Sequence, residues 1–163
     1  MRRLMSFFNK NQFATPSMAV GELLPEGGPL KLALIRVLIV EDSQPWQRAI
    51  RSILQESPEL TVIGECSDGL EAIRISEQLQ PDLVVLDIGL PSLNGLEATR
   101  RMRKVAPSTK ILFLTAHFSA ELIREALESG ALGYVVKSNA ASDLLPAVNA
   151  VMCDQRFVSS PQI

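Results

Sequence analysis

Val37-Leu38-Ile39-Val40-Glu41-Asp42 places four consecutive apolar residues directly before two acids. A continuous apolar run, rather than an alternating one, suits a strand of a parallel sheet covered on both faces. The same form recurs in Leu60-Thr61-Val62-Ile63, Leu83-Val84-Val85-Leu86, Ile111-Leu112-Phe113-Leu114 and Tyr134-Val135-Val136. Segments of helical period lie between the runs. The first carries Trp46, Ala49, Ile50, Ile53 and Leu54 on one stripe, with Ser43 placed to cap it, Pro45 in its first turn and Ser57-Pro58 ending it. The second covers about 69–79, with Asp68 and Glu71 in capping-box-like spacing and Pro81 beyond. The third follows Asn94-Gly95 and ends near Pro107, and the fourth runs from Ser119 to Gly130. The fifth aligns Leu144, Ala147, Val148, Val151 and Met152, and Pro146 predicts that it starts late or bends.

Strand followed by helix, five times over, predicts an α/β fold. The expected form is a doubly wound, five-stranded parallel sheet with five helices and right-handed crossovers, in the flavodoxin-like order 2-1-3-4-5. Residues 1–34 stand apart: Pro16, Gly21, Pro25, Gly27, Gly28 and Pro29 interrupt any period, so a flexible N-terminal extension is expected there. The domain is expected over 35–160, with a short tail at 161–163.

Composition narrows the functions open to the chain. Of its 163 residues, 47% are hydrophobic and 21% charged, enough for one well-filled core. A net charge of −2 gives no basic field, so no nucleic acid is expected on this domain. The apolar start Leu4-Met5-Ser6-Phe7-Phe8 is too short for a signal peptide, and no run is long enough to span a membrane. The expected location is cytoplasmic. Cys66 and Cys153 are far apart and form no metal or redox spacing.

In such sheets the ligand site lies beyond the carboxyl ends of the strands. There the sequence puts Glu41 and Asp42 after the first run, Asp87 after the third, Thr115 after the fourth and Lys137 after the fifth. Crowded carboxylates repel one another, and a hard divalent cation relieves them; oxygen ligands and retained waters suit Mg²⁺. Glu41, Asp42 and Asp87, with a backbone carbonyl, form a fitting donor set. A carboxylate can also attack phosphorus and form an aspartyl phosphate. Lys137 and the Thr115 hydroxyl are suited to holding phosphoryl oxygens.

The residues Val37-Leu38-Ile39-Val40-Glu41-Asp42, Leu86-Asp87-Ile88-Gly89-Leu90-Pro91, Asn94-Gly95-Leu96-Glu97, Leu114-Thr115-Ala116 and Gly133-Tyr134-Val135-Val136-Lys137 together resemble the receiver domain of two-component response regulators. The likeness covers Ile35 to about Ser160 and is nearest the LuxR/NarL-type subgroup, whose output is a helix-turn-helix. It implies that Asp87 takes a phosphoryl group from a sensor histidine kinase. It implies Mg²⁺ on Glu41, Asp42, Asp87 and the backbone carbonyl of Gly89. Thr115 and Lys137 would bind the phosphoryl group, and Tyr134 would be the aromatic that turns as Thr115 moves. The face of the fourth helix, fifth strand and fifth helix would then change shape and favour a weak homodimer. Attached to an output domain, the whole would regulate transcription; alone, it would act by protein contact. Two details depart from the common pattern. The acid pair is Glu-Asp, and Ser138 stands where many members have proline, so that a cis bond there would cost about 2.5–4 kcal/mol.

Several of these residues also admit plainer readings. Tyr134 is equally an ordinary core aromatic. His117, two residues past Thr115, is open to a contact with water attacking the acyl phosphate, but a solvent-facing loop residue is the plainer reading. Trp46, near the acid pair, is placed to report Mg²⁺ by fluorescence, but its stripe says core. Arg100-Arg101-Met102-Arg103-Lys104 suggests nucleic acid, but more plainly the solvated face and last turns of the third helix. Two other functions compete with the phosphoacceptor. A Mg²⁺-dependent phosphatase with an aspartate nucleophile would need a second aspartate where Gly89 stands. A phosphorylation-independent interaction module has no need of the complete set Glu41, Asp42, Asp87, Thr115 and Lys137. No GxxxxGK phosphate loop is present.

Overall fold

Four of the five apolar runs feed two cores at once, and this explains why they are continuous; the half-buried Leu60-Thr61-Val62-Ile63 packs against one. A computed structural model describes residues 33–160; the extension expected over 1–34, but for its last two residues, and the tail 161–163 lie outside them. The chain order is β1 (Ile35–Val40), α1 (Gln44–Leu54), β2 (Leu60–Cys66), α2 (Gly69–Leu79), β3 (Leu83–Leu86), α3 (Gly95–Val105), β4 (Lys110–Thr115), α4 (Ala120–Ser129), β5 (Gly133–Val136), a 3-10 turn (Lys137–Asn139), α5 (Ala140–Met152) and β6 (Phe157–Val158). Successive strand residues point to opposite faces. Leu38, Val40, Val84, Leu86, Phe113 and Tyr134 pack with Ala72, Ala98, Met102 and Ala126 of α2, α3 and α4. Val37, Ile39, Val85, Leu112, Leu114 and Val135 pack with Ile50, Leu54, Leu144, Ala147, Val148 and Val151 of α1 and α5.

The sheet order is β2-β1-β3-β4-β5-β6, and every neighbouring pair is parallel. The expected order holds for the first five strands, but the sheet has six, not five. The sixth is two residues long, so it offers no period to read. It forms because Asp154 takes a left-handed backbone (φ 59°) and the chain after α5 reverses onto β5.

Caps act largely where the sequence places them. Asp68 accepts from the N–H groups of Leu70 and Glu71, Asn94 from Glu97, and Ser119 from Leu122. Gly130 ends α4 at φ 108°, a conformation glycine adopts freely. One local expectation fails: Ser43 sits at the start of α1 but makes no capping bond with its side chain. Of the two outcomes expected from Pro146, the late start is not seen, because Ala140–Met152 is helical straight through it. The exposed flank there tolerates the lost donor. Among the described residues no peptide bond is cis, including that between Lys137 and Ser138.

The two thiols differ sharply. Cys66, at the end of β2, is buried, and burial pushes its thiol up to about 12, whereas Cys153 is exposed. Thiolate is the reactive form. Iodoacetamide at about pH 8 should therefore add one group to the folded protein, at Cys153, and two after denaturation. Equal labelling of both cysteines in the native protein, read by peptide mass, would contradict this packing.

Candidate functional site

A parallel sheet aims every strand's carboxyl end at the same edge, and hydrogen bonds lock those ends together. The Glu41 N–H donates to Cys66 O (3.0 Å) and the Asp87 N–H to Val40 O (3.1 Å), joining the exits of β1, β2 and β3. Glu41 is 1% exposed and Asp87 9%, while Asp42 faces solvent. All three offer a carboxylate oxygen within 4.8 Å of one another.

Lys137 enters this cluster from the end of β5. Its Nζ donates to Asp87 Oδ2 at 2.8 Å. It also forms an ion pair with the buried Glu41 Oε2 at 2.7 Å. Glu41 Oε1 accepts from the Ser43 N–H at 3.0 Å, while the Ser43 carbonyl accepts from Gln47 N–H at 2.9 Å, so its backbone serves both the site and the helix. Burial raises the Glu41 carboxyl above its ordinary range, outweighing the help of Lys137 and the Ser43 N–H. For Lys137 burial works against the ammonium, but Asp87 and Glu41 together more than offset it, so its pKa is raised. Three carboxylates against one ammonium leave a formal charge of −2. A hard divalent cation is the charge and donor chemistry this cluster fits.

The Thr115 hydroxyl is fully buried at the end of β4 and has no hydrogen-bond partner. A buried hydroxyl without a partner is costly, so its position points to an incoming acceptor oxygen. Gly89 is exposed, and its N–H donates to Asp87 Oδ1 at a long 3.3 Å. Tyr134 is fully buried within the sheet's α2–α4 face, and its hydroxyl donates to the backbone carbonyl of His117 at 2.7 Å. Burial, with a smaller push from Asp87, raises that phenol to about 12. Tyr134 is thus both a core residue and a tether for the loop after Thr115. His117 itself is exposed. Arg100, Arg101, Arg103 and Lys104 are exposed while Met102 is buried, as the solvated-face reading expects.

Two residues contribute in ways that the sequence reading did not specify. Trp46, expected near the acid pair and on the core stripe, is half-buried on α1, and Lys137 Nζ sits 5.1 Å from its ring centroid, within reach of a cation–π attraction. Gly95 belongs to the quoted Asn94-Gly95-Leu96-Glu97 motif, but the motif does not say what its missing side chain is for. A Cβ there would lie 2.3 Å from Asp87 O and 2.9 Å from Ile88 Cα, so α3 starts against the very backbone that carries Asp87.

The family model of the response regulator receiver domain matches residues 37–149, and the chain belongs to that family. Among its relatives are the transcriptional regulatory protein LiaR of Bacillus subtilis, 32% identical over 117 residues (72% of this chain, 56% of that protein), and the response regulator UvrY of Escherichia coli, 33% identical over 127 residues (78% and 58%). The chain thus spans little more than half the length of these relatives. A solved two-component response regulator of the LuxR family from Aurantimonas is 34% identical and superposes with a TM-score of 0.74, covering 78% of this chain and 91% of that one. The resemblance read from the motifs therefore holds, down to the LuxR/NarL-type subgroup.

Gly95→Ala should force the α3 start away from Asp87 and destabilise the fold by about 1–3 kcal/mol, the usual cost of overpacking. An unchanged midpoint in urea unfolding would show that the contact yields without strain.

Proposed function

We propose that this domain is the phosphoacceptor of a two-component relay in the cytoplasm, with Asp87 as the residue that carries the phosphoryl group. The observation that supports it most is the buried, unpartnered Thr115 hydroxyl at the end of β4, on the same sheet edge as the clustered carboxylates of Glu41, Asp42 and Asp87. Asp87 Oδ2 is held by Lys137, whereas Oδ1 has only the long bond from Gly89 N–H. Oδ1 is the oxygen free to attack phosphorus. In that step the Oδ1–P bond forms, the bond from phosphorus to the imidazole of a sensor histidine kinase breaks, and the imidazole leaves with the bonding pair. Mg²⁺, held by Glu41, Asp42, Asp87 and the backbone carbonyl of Gly89, would supply charge neutralisation for the phosphoryl oxygens.

The rest of the response comes from the chain's own groups. The phosphoryl group adds roughly −1.5 to −2 charges and new acceptor oxygens. Lys137 follows one of them and the Thr115 hydroxyl donates to another. Movement at Thr115 strains the Tyr134–His117 tether, so the loop and the α4–β5–α5 face shift between two packings of one fold. Joined to an output domain of the kind its relatives' names imply, the protein would regulate transcription.

Treatment with a small acyl phosphate and Mg²⁺ should add one hydroxylamine-labile phosphoryl group by intact mass, and none to Asp87→Ala. No gain, together with no Mg²⁺-dependent change in Trp46 fluorescence, would favour a chemically silent interaction module instead. Phosphorylation should also promote a weak homodimer through the α4–β5–α5 face. Sedimentation profiles that depend on concentration identically with and without the phosphoryl group would exclude that coupling.

A further inference from the structure

The chain beyond α5 stays on the domain as a strap along the outer edge of β5. Phe157 N–H donates to Leu132 O (3.0 Å) and Ser159 N–H to Tyr134 O (2.8 Å), as in a parallel ladder. The next β5 donor breaks the pattern. Val136 N–H is met by the Ser159 hydroxyl, at 3.2 Å, rather than by a backbone carbonyl. That hydroxyl in turn donates to Asp143 Oδ2 at 2.7 Å. Asp143, in the first turn of α5, also accepts from Ser142 Oγ (2.8 Å) and, at 3.4 Å, from Asn139 Nδ2. The Asn139 amide reaches back to Ser160 O at 3.0 Å. Ser159 is 2% exposed and Asn139 6%, so the bond to Val136 N–H is buried, while those to the half-buried Asp143 lie nearer the surface. The pKa of the Asp143 carboxyl lies below its ordinary range, first because of the bond from Ser159.

The network grips the residue before Lys137 and the second residue after it. Lysine is a point charge on a flexible stem, so where its ammonium rests depends on where its backbone is held. On its inner side Val136 is held by the core and by its pairing with Thr115 of β4, while Ser138 is exposed and its hydroxyl donates only to the neighbouring Asn139 Oδ1 at 3.1 Å. The strap adds the grip on the outer side of the strand end. We propose that Ser159, braced by Asp143, is a positioning residue for Lys137, setting the strand end from which the lysine reaches the phosphoryl group. This rests on the phosphoacceptor reading above. A catalytic group must be held to within a fraction of an ångström by its supporting shell, so loosening that shell should slow the reaction without abolishing it.

The test uses the full chain, a small acyl phosphate and Mg²⁺, with rates followed by intact mass at a temperature where every variant is folded. Ser159→Ala and Asp143→Ala should each slow phosphorylation by about three- to tenfold. Asp143 is only half-buried, so its variant keeps the question open should Ser159→Ala fold poorly. Both changes are then repeated in a Lys137→Ala background, where a residue that acts through the lysine should have no further effect. Equal slowing in both backgrounds would mean a purely structural role and overturn the proposal, as would wild-type rates in the single variants. A wild-type chain that gains no phosphoryl group would instead sink the phosphoacceptor reading and this inference with it.

Discussion

The arrangement turns on one ammonium group. Lys137 Nζ stands between Asp87 and Glu41 at 2.8 and 2.7 Å, in a place where the lysine is 9% and the glutamate 1% exposed. Burying carboxylates without a counter-charge is costly. The lysine supplies that counter-charge, and it reaches them only because β5 ends on the same edge as β1 and β3. A sheet of mixed direction would scatter the same side chains to both ends. The all-parallel order is therefore a condition of the chemistry as well as of the packing.

That condition explains the composition of the strands. With α1 and α5 on one face and α2, α3 and α4 on the other, every residue of β3 and of β5 is buried. In these two strands charged groups are admitted only where the strand stops. All four of the exits of β1, β3, β4 and β5 are polar, and they assemble the site at one edge. The close approach of Gly95 to the Asp87 carbonyl adds the one steric demand that reaches from a helix start into the site.

Much of this was legible in the residues alone, for physical reasons. Continuous apolar runs announce two-sided burial, so the first five strands and their order could be read from Val37–Val40 onward. The site residues each follow such a run, so topology places Glu41, Asp42, Asp87, Thr115 and Lys137 together before any distance is known. What could not be read depends on geometry rather than pattern. The pair Phe157-Val158 is too short for a period, and its pairing follows from the left-handed turn at Asp154. Trp46 looks the same in a helical stripe whether it lines a core or lies beneath a cation. Ser43 had the right identity for a cap, but Glu41 claims the backbone N–H it leaves free.

The sixth strand also alters how the molecule meets others of its kind. An open sheet edge presents unpaired backbone groups, and any extended segment can add to it. On the β5 side that edge is covered, among the described residues, by the two-residue strand Phe157–Val158. Two copies approaching there find little backbone to share, so they cannot easily fuse their sheets into one. Contact at that flank is left to side chains, which are easily parted again, as suits a signal that must end.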